Sequence, residues 1–183
     1  MELLTGKACC LKTFDESHLN NSDYLKWVRD YDVIKMLNKI DYLRPVSFEE
    51  VKQYCTNVMQ SPNDMFYALY EKEADKFIGT VRVSKINWHN KVADLGIMIG
   101  DKSYWGKGIA SDAIKSISLY LFRKCGLRKL TAGYMDTNPA MGKVFEKLGF
   151  KKEGTFRKQD YFEGKYVDHI YMGCFSDEFV FES

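Results

Sequence analysis

Residues 95–124 constrain this chain more than any other stretch: Leu-Gly-Ile-Met-Ile-Gly-Asp-Lys-Ser-Tyr-Trp-Gly-Lys-Gly-Ile-Ala, followed by an amphipathic run. The pattern reads as a strand, a tight turn and a helix. Gly106 and Gly108 bracket Lys107 at the point where the helix should begin. Residues without a Cβ let backbone N–H groups close on a bulky anion, and the helix N-terminus adds partial positive charge. A pyrophosphate is the natural guest of such a turn, although a glycine-rich strand-to-helix turn with no ligand has the same local signature.

Two familiar phosphate loops fit poorly. A Walker A loop needs four residues between its glycines and a hydroxyl after the lysine to hold Mg²⁺. Here five residues separate Gly100 from Gly106, and Gly108 stands where the hydroxyl belongs. A dinucleotide fingerprint would want a third glycine at Ser111 and an acidic residue ending the next strand. That strand instead ends in Met135-Asp136-Thr137-Asn138 and runs into another helix.

The whole chain, 183 residues with 45% hydrophobic and 15% aromatic content, suffices for one well-buried core and is short for two, so a single domain over residues 1–183 is expected. Net charge is only +2, which excludes a polyanion-coating protein. The charge is unevenly spread: residues 101–158 carry 13 Lys/Arg and 5 Asp/Glu, residues 13–64 carry 6 and 9. A phosphate-rich ligand near the second half and a cationic one near the first would both be favoured. Five cysteines without a C-x-x-C pair argue against a disulfide scaffold. With no signal-peptide run and no long apolar window, a cytoplasmic protein without membrane or nucleic-acid partners is expected. His18, His89 and His169 lack metal-ligand spacing, so no metal site is expected and all three read as surface or packing residues.

In chain order, residues 8–14 read as a strand and residues 21–29 as a helix capped by Asn21 or Ser22, with a helical continuation over 33–38. Ser47-Phe48-Glu49-Glu50 is a capping box opening a helix to about residue 59. Strands follow over 65–70, 77–86 and 92–99, then the helix from Ile109 to Cys125-Gly126. A strand over 130–135, a helix opened by Pro139 and closed by Gly149, and a hairpin of strands 151–159 and 166–174 complete the chain. The strands before and after the glycine-turn helix should lie parallel within an otherwise antiparallel sheet.

The run Tyr104-Trp105-Gly106-Lys107-Gly108-Ile109-Ala110, the segment from Asn138-Pro139-Ala140-Met141-Gly142 through Phe145 to Leu148-Gly149-Phe150, and the tail Gly164-Lys165-Tyr166-Val167-Asp168 resemble the GNAT superfamily of acyl-CoA-dependent N-acyltransferases. Within it, the chain looks like the branch of ribosomal-protein N-terminal, spermidine and amino-sugar acetyltransferases. The resemblance implies an α+β GNAT fold: a mixed, mostly antiparallel sheet of about seven strands, about four helices, and a central parallel pair that splays apart. It implies acetyl-CoA as co-substrate. Backbone groups of Ile97, Met98 and Ile99 would pair with the pantetheine arm, those of Trp105, Gly106, Lys107, Gly108, Ile109 and Ala110 with the pyrophosphate, and Asn138 with the arm. Lys107 and Lys143 would add phosphate contacts. The helices after the first strand, with Trp27, Tyr31, Tyr42 and Tyr54, would form part of the acceptor wall. The acceptor would be a primary amine, whether protein N-terminus, polyamine or amino sugar, and a homodimer is left open.

An amine attacking a thioester needs a base to neutralise it and a proton for the departing thiolate. Asp94 matches a position often acidic in the family, and Asp136 ends the splayed strand; both are candidate bases. Relatives place a donor hydroxyl where this chain has Met141 or Phe145, neither of which can donate. Tyr134, Tyr171 or Cys174 could serve, or the thiolate could leave unprotonated. The same departure motivates an alternative reading as an acyl-CoA-binding sensor without turnover.

Overall fold

A computed structural model describes residues 3–37, 44 and 46–181. Its strands are β1 (Leu4–Thr5), β2 (Cys9–Thr13), β3 (Met65–Glu71), β4 (Lys76–Asn87), β5 (Val92–Ile99), β6 (Lys129–Met135), β7 (Lys151–Phe162) and β8 (Lys165–Phe175). Helices α1 (Glu16–Leu19), α2 (Ser22–Trp27), α3 (Tyr31–Ile34) and α4 (Phe48–Gln60) lie between β2 and β3, α5 (Ile109–Arg123) joins β5 to β6, and α6 (Pro139–Lys147) joins β6 to β7. The strands form one sheet in the order β1-β2-β3-β4-β5-β6-β8-β7, and β5 with β6 is its parallel pair.

Each face of the sheet is covered by helices whose apolar spacing demands it. On α5, Ile109, Ala113, Ile114, Ile117, Leu121 and Phe122 recur at helical intervals and pack with Phe145 of α6 and its C-cap residue Leu148 onto Leu95, Leu130 and Ala132. Fully burying an Ile or Leu contributes about 1.5–3 kcal/mol, so this stripe alone anchors α5 to the sheet. On the opposite face, Tyr24 and Trp27 of α2, Val33 and Ile34 of α3, and Val51, Cys55 and Val58 of α4 close over Phe66, Ala68, Phe77 and Met98. The capping box forms as its spacing predicts: Ser47 Oγ accepts from Glu50 N–H, and Glu50 Oε2 accepts from Ser47 N–H at 2.8 Å.

The eighth strand is the two-residue β1, paired with β2 and too short to register as a period in sequence. The first helical region divides into three short pieces, each opened by an Asx cap (Asp15, Asn21, Asp30), so six α-helices replace the expected four among the described residues. The continuation at Asn38 and the wall residue Tyr42 lie outside the described residues. β7 runs on to Phe162 because Glu163 and Gly164 both take positive φ (45° and 87°), which makes the tight two-residue hairpin that matches strand twist.

Asp112, in the first turn of α5, accepts from the N–H groups of Lys7 (3.0 Å), Ala8 (2.8 Å) and Cys9 (3.0 Å), tying the β1–β2 turn to the helix. Burial opposes its ionisation, but the backbone donors outweigh that and hold its carboxyl below the usual range. A group with a depressed folded-state pKa stabilises above its unfolded value and loses that contribution as pH falls through the folded one. Asp112→Asn is expected to cost about 2 kcal/mol in chemical denaturation at pH 7, and the gap to the parent should close as pH falls below about 4.

Candidate functional site

β5 and β6 pair in parallel only from Val92↔Lys129 to Leu95↔Ala132. Beyond that, β5 stays bound to β4 as far as Gly79↔Ile99, and β6 stays bound to β8 as far as Met135↔His169. Their facing edges separate, which leaves a slot through the sheet and the inner edge of Gly96–Ile99 without a strand partner. A cavity of about 640 Å³ follows this slot. It is lined by Ile97, Met98 and Ile99, by Trp105, Gly106, Gly108, Ile109 and Ala110, and by Tyr134, Asn138, Met141 and Phe145.

The turn at its end has the backbone that glycine permits: φ is +73° at Gly106 and +78° at Gly108, and a Cβ built on either would meet no protein atom within 4 Å. The space in front of the turn is therefore open to a ligand. Gly108 is the N-cap of α5 and supplies no side-chain cap, so the first-turn N–H groups present their partial positive charge to that space. Asn138 caps α6, its Oδ1 accepting from Met141 N–H at 3.3 Å, which turns its amide toward the same cavity. These features fit a nucleotide pyrophosphate and an amide-bearing arm lying along β5.

A second cavity of about 380 Å³ lies under α2–α4 and shares Leu37, Gly96, Ile97 and Met98 with the first. Its wall is largely apolar, with Val28, Ile34, Val51, Phe66 and Met98, and carries Glu50, Asp94, Tyr54 and Arg82. Asp94 is half-buried and accepts from Thr131 Oγ1 at 2.6 Å; burial pushes its carboxyl up, partly offset by that hydrogen bond and by the charges of Lys85, His169 and Arg82. Arg44 holds Glu50 ionised, with Ser47 adding hydrogen bonds, down to about 2. The guanidinium of Arg82 is committed to Asp64 (2.7 Å) and Tyr54 (3.1 Å).

Residues 9–151 match the family described as "Acetyltransferase (GNAT) domain". The chain belongs to the GNAT acetyltransferase family. It is 29% identical over 168 residues to the uncharacterized N-acetyltransferase p20 of Bacillus licheniformis, covering 87% of this chain and 89% of that one. It is 28% identical over 108 residues, 57% of this chain and 54% of the other, to the [ribosomal protein uS5]-alanine N-acetyltransferase of Escherichia coli (strain K12). The fold superimposes with a TM-score of 0.83 at 20% identity on the spermidine N-acetyltransferase of Vibrio cholerae in complex with CoA and spermine, covering 93% and 97% of the two chains. As a GNAT member the protein is an acetyl-CoA-dependent N-acetyltransferase acting on an amine.

Of the residues expected around CoA, Ile97, Met98, Ile99, Trp105, Gly106, Gly108, Ile109, Ala110 and Asn138 line the GNAT slot. The Ile99 carbonyl also accepts from Trp105 Nε1 at 2.8 Å, which ties the glycine turn to the end of β5. Lys107 and Lys143 are exposed outside the lining, Lys107 with its ammonium 5.1 Å from the Tyr104 ring. Asp94 faces the second cavity, whereas Asp136 is exposed beyond the end of β6, its N–H on Asp168 O, and lines neither. Among the donor candidates Tyr134 alone lines the slot. Cys174 is buried at the far end of β8, where burial pushes its thiol up to about 12, and Tyr171 stacks on Phe156. Sequence reasoning missed His169, which lines the slot with Nδ1 2.6 Å from the buried Asp160. The two lie nine residues apart on different strands, with no spacing that flags them.

Gly108→Val would place bulk in the open space before α5 and strain a positive φ. Calorimetric titration should show CoA affinity lowered at least tenfold, about 1.4 kcal/mol, with the circular dichroism of the fold retained.

Proposed function

We propose that this enzyme acetylates a cationic primary amine carried on an apolar stem, such as a peptide N-terminus or a polyamine. The observation that carries the reading is the meeting of the two cavities at the unpaired edge of β5. A thioester held along that edge from one side would face an amine entering from the other. The acceptor cavity offers apolar walls for a stem and the Asp94 carboxylate for a cation, while its other carboxylate, Glu50, is paired with Arg44. Its cation, Arg82, is already matched by Asp64, which disfavours a nucleotide-linked amino sugar. The names of relatives point the same way, toward an alanine N-terminus and toward spermidine. None of the five cysteines is in a disulfide, in keeping with a reducing, cytoplasmic setting.

In this reading Ile97 and Met98 hold the arm of acetyl-CoA through their backbone groups, Asn138 Nδ2 donates to it, and the turn from Trp105 to Ala110 binds the pyrophosphate. Tyr134 gives the departing thiolate its proton. Its hydroxyl reaches over α6 at Gly142, where a Cβ would collide with it, and so arrives within a turn of Met141 and Phe145. Phe145 is buried against Phe150, so the helix that carries the hydroxyl in relatives here packs the core while β6 supplies the phenol. Burial, with Glu146 adding to it, pushes the Tyr134 phenol above its ordinary value and keeps it protonated as a donor.

Incubation with acetyl-CoA and, separately, an alanyl peptide, spermidine and a nucleotide-linked amino sugar, read by mass spectrometry, tests the acceptor. Acetylation of the peptide or polyamine is expected, and acetylation confined to the sugar would overturn the reading. Apparent KM for the amine should rise with ionic strength while kcat moves less, since salt screens attraction to an acidic pocket.

Tyr134→Phe is expected to lower kcat at least tenfold with acetyl-CoA affinity unchanged. On the alkaline side the parent's activity should hold until about pH 10 or above, where the phenol ionises. An unchanged kcat would return the chemistry to departure of an unprotonated thiolate.

A further inference from the structure

β7 and β8 are out of step near the slot. Phe156 pairs with His169 and Asp160 with Val167, so four residue steps on β7 oppose two on β8. Lys158 sits at the centre of this bulge with φ +52°, its N–H bonded to Asp168 Oδ1 at 2.8 Å. Extra residues in one strand re-aim its side chains. Here they turn the Asp160 carboxyl inward, to 3% exposure, beneath a histidine on the neighbouring strand.

The Asp160 carboxylate can only accept, so His169 Nδ1 must carry the hydrogen of their 2.6 Å contact. In the neutral ring that leaves a lone pair on Nε2. Nε2 lies directly over Gly133, where a Cβ would fall on it, and no described residue hydrogen-bonds it. Gly133 is the β6 residue next after the last parallel pair, and Gly96 is its counterpart on β5. Gly133 and His169 line the first cavity, and Gly96 lines both, so the unshared nitrogen stands in the first cavity across the parted strands from the edge that the two cavities share. The groups facing the ring are Asp160 from β7, Tyr171 from β8 with its ring centroid at 4.8 Å, and Asp94 from β5, near enough to feel an imidazolium charge.

We propose that His169 is the catalytic base that takes the proton from the incoming ammonium, with Asp160 as the positioning residue that fixes its tautomer. The proposal rests on the acetyl-transfer reading above. One proton passes from the ammonium to Nε2. The neutral amine then forms a C–N bond to the thioester carbonyl carbon, and the C–S bond breaks. Tyr134 protonates the leaving sulfur, the proton shed by the acylated nitrogen replaces the one Tyr134 gave, and His169 releases its proton to solvent, so one proton is freed per turnover. Asp94, on the same face, is left to hold the cation.

The first test needs no turnover. The protein has three histidines, so ¹⁵N-histidine labelling with the His169→Gln variant assigns the His169 ring nitrogens. At neutral pH Nδ1 should be protonated and Nε2 bare, with the Nε2 resonance moving on addition of acetyl-CoA. Asp160→Asn should scramble the tautomer. A protonated Nε2 in the neutral ring, or a resonance indifferent to acetyl-CoA, overturns the proposal.

The second test uses whichever of the alanyl peptide and spermidine is acetylated. His169→Gln should lower kcat about a hundredfold at pH 7 with acetyl-CoA affinity intact. It should also lose the acid limb expected of the parent's kcat/KM, and recover as rising pH deprotonates the amine unaided. A variant that merely loosened the β7–β8 hairpin would lose activity equally at every pH, and that result would overturn the assignment. If the parent acetylates neither amine, the acceptor reading fails while the tautomer measurement still decides the role of His169.

Discussion

The rest of this structure depends on the point at which two parallel strands stop pairing. β5 and β6 hold four registered pairs and then part, each kept straight by its outer neighbour, β4 for one and β8 for the other. Inner-edge N–H and C=O groups of Gly96–Ile99 that lack a protein partner cost about 1–3 kcal/mol each if they are also shielded from water. Filling the slot with an extended arm that carries amides would offset that cost in the way an added strand does. The opening also lets a ligand on the α5–α6 side of the sheet meet one on the α2–α4 side, which a continuous sheet would prevent.

Much of this organisation was legible in the sequence because it rests on local rules. The positive-φ glycines, the Ser47–Glu50 box, Pro139 at the first turn of α6 and the helical stripe of α5 each follow from one residue type at one spacing. What escaped has no local signature. β1 is two residues long, and the 163–164 turn places a glutamate at positive φ, where its neighbours' strand twist overrides its preference. The division of the first helical region follows from three separate Asx caps that an apolar period averages over.

The chemistry of the site shows the same divide more sharply. Reading along α6 finds no hydroxyl at Met141 or Phe145 and suggests that the acid is missing. In the fold, the absence of a side chain at Gly142 admits Tyr134 from β6 to the same place. Asp94 and Asp136 look equivalent in sequence, one on the strand before the glycine turn and the other at the end of the strand after its helix. Their environments differ: one is half-buried beneath the acceptor cavity and bonded to Thr131, the other exposed past the strand end.

His169 illustrates why a dispersed dyad cannot be read from spacing. Its partner Asp160 would, in an unbulged antiparallel ladder, oppose another residue and point elsewhere. Two extra residues in β7, with Lys158 at φ +52° bonded to Asp168, set the carboxyl under the ring. A non-glycine residue at positive φ costs about 1–2 kcal/mol, and the Asp168 hydrogen bond offsets much of it. Asp168 therefore stands one step further out from the chemistry, holding the backbone that aims the residue that orients the base. Strain of this kind persists where surrounding contacts over-determine it, and in this protein those contacts converge on the slot between β5 and β6.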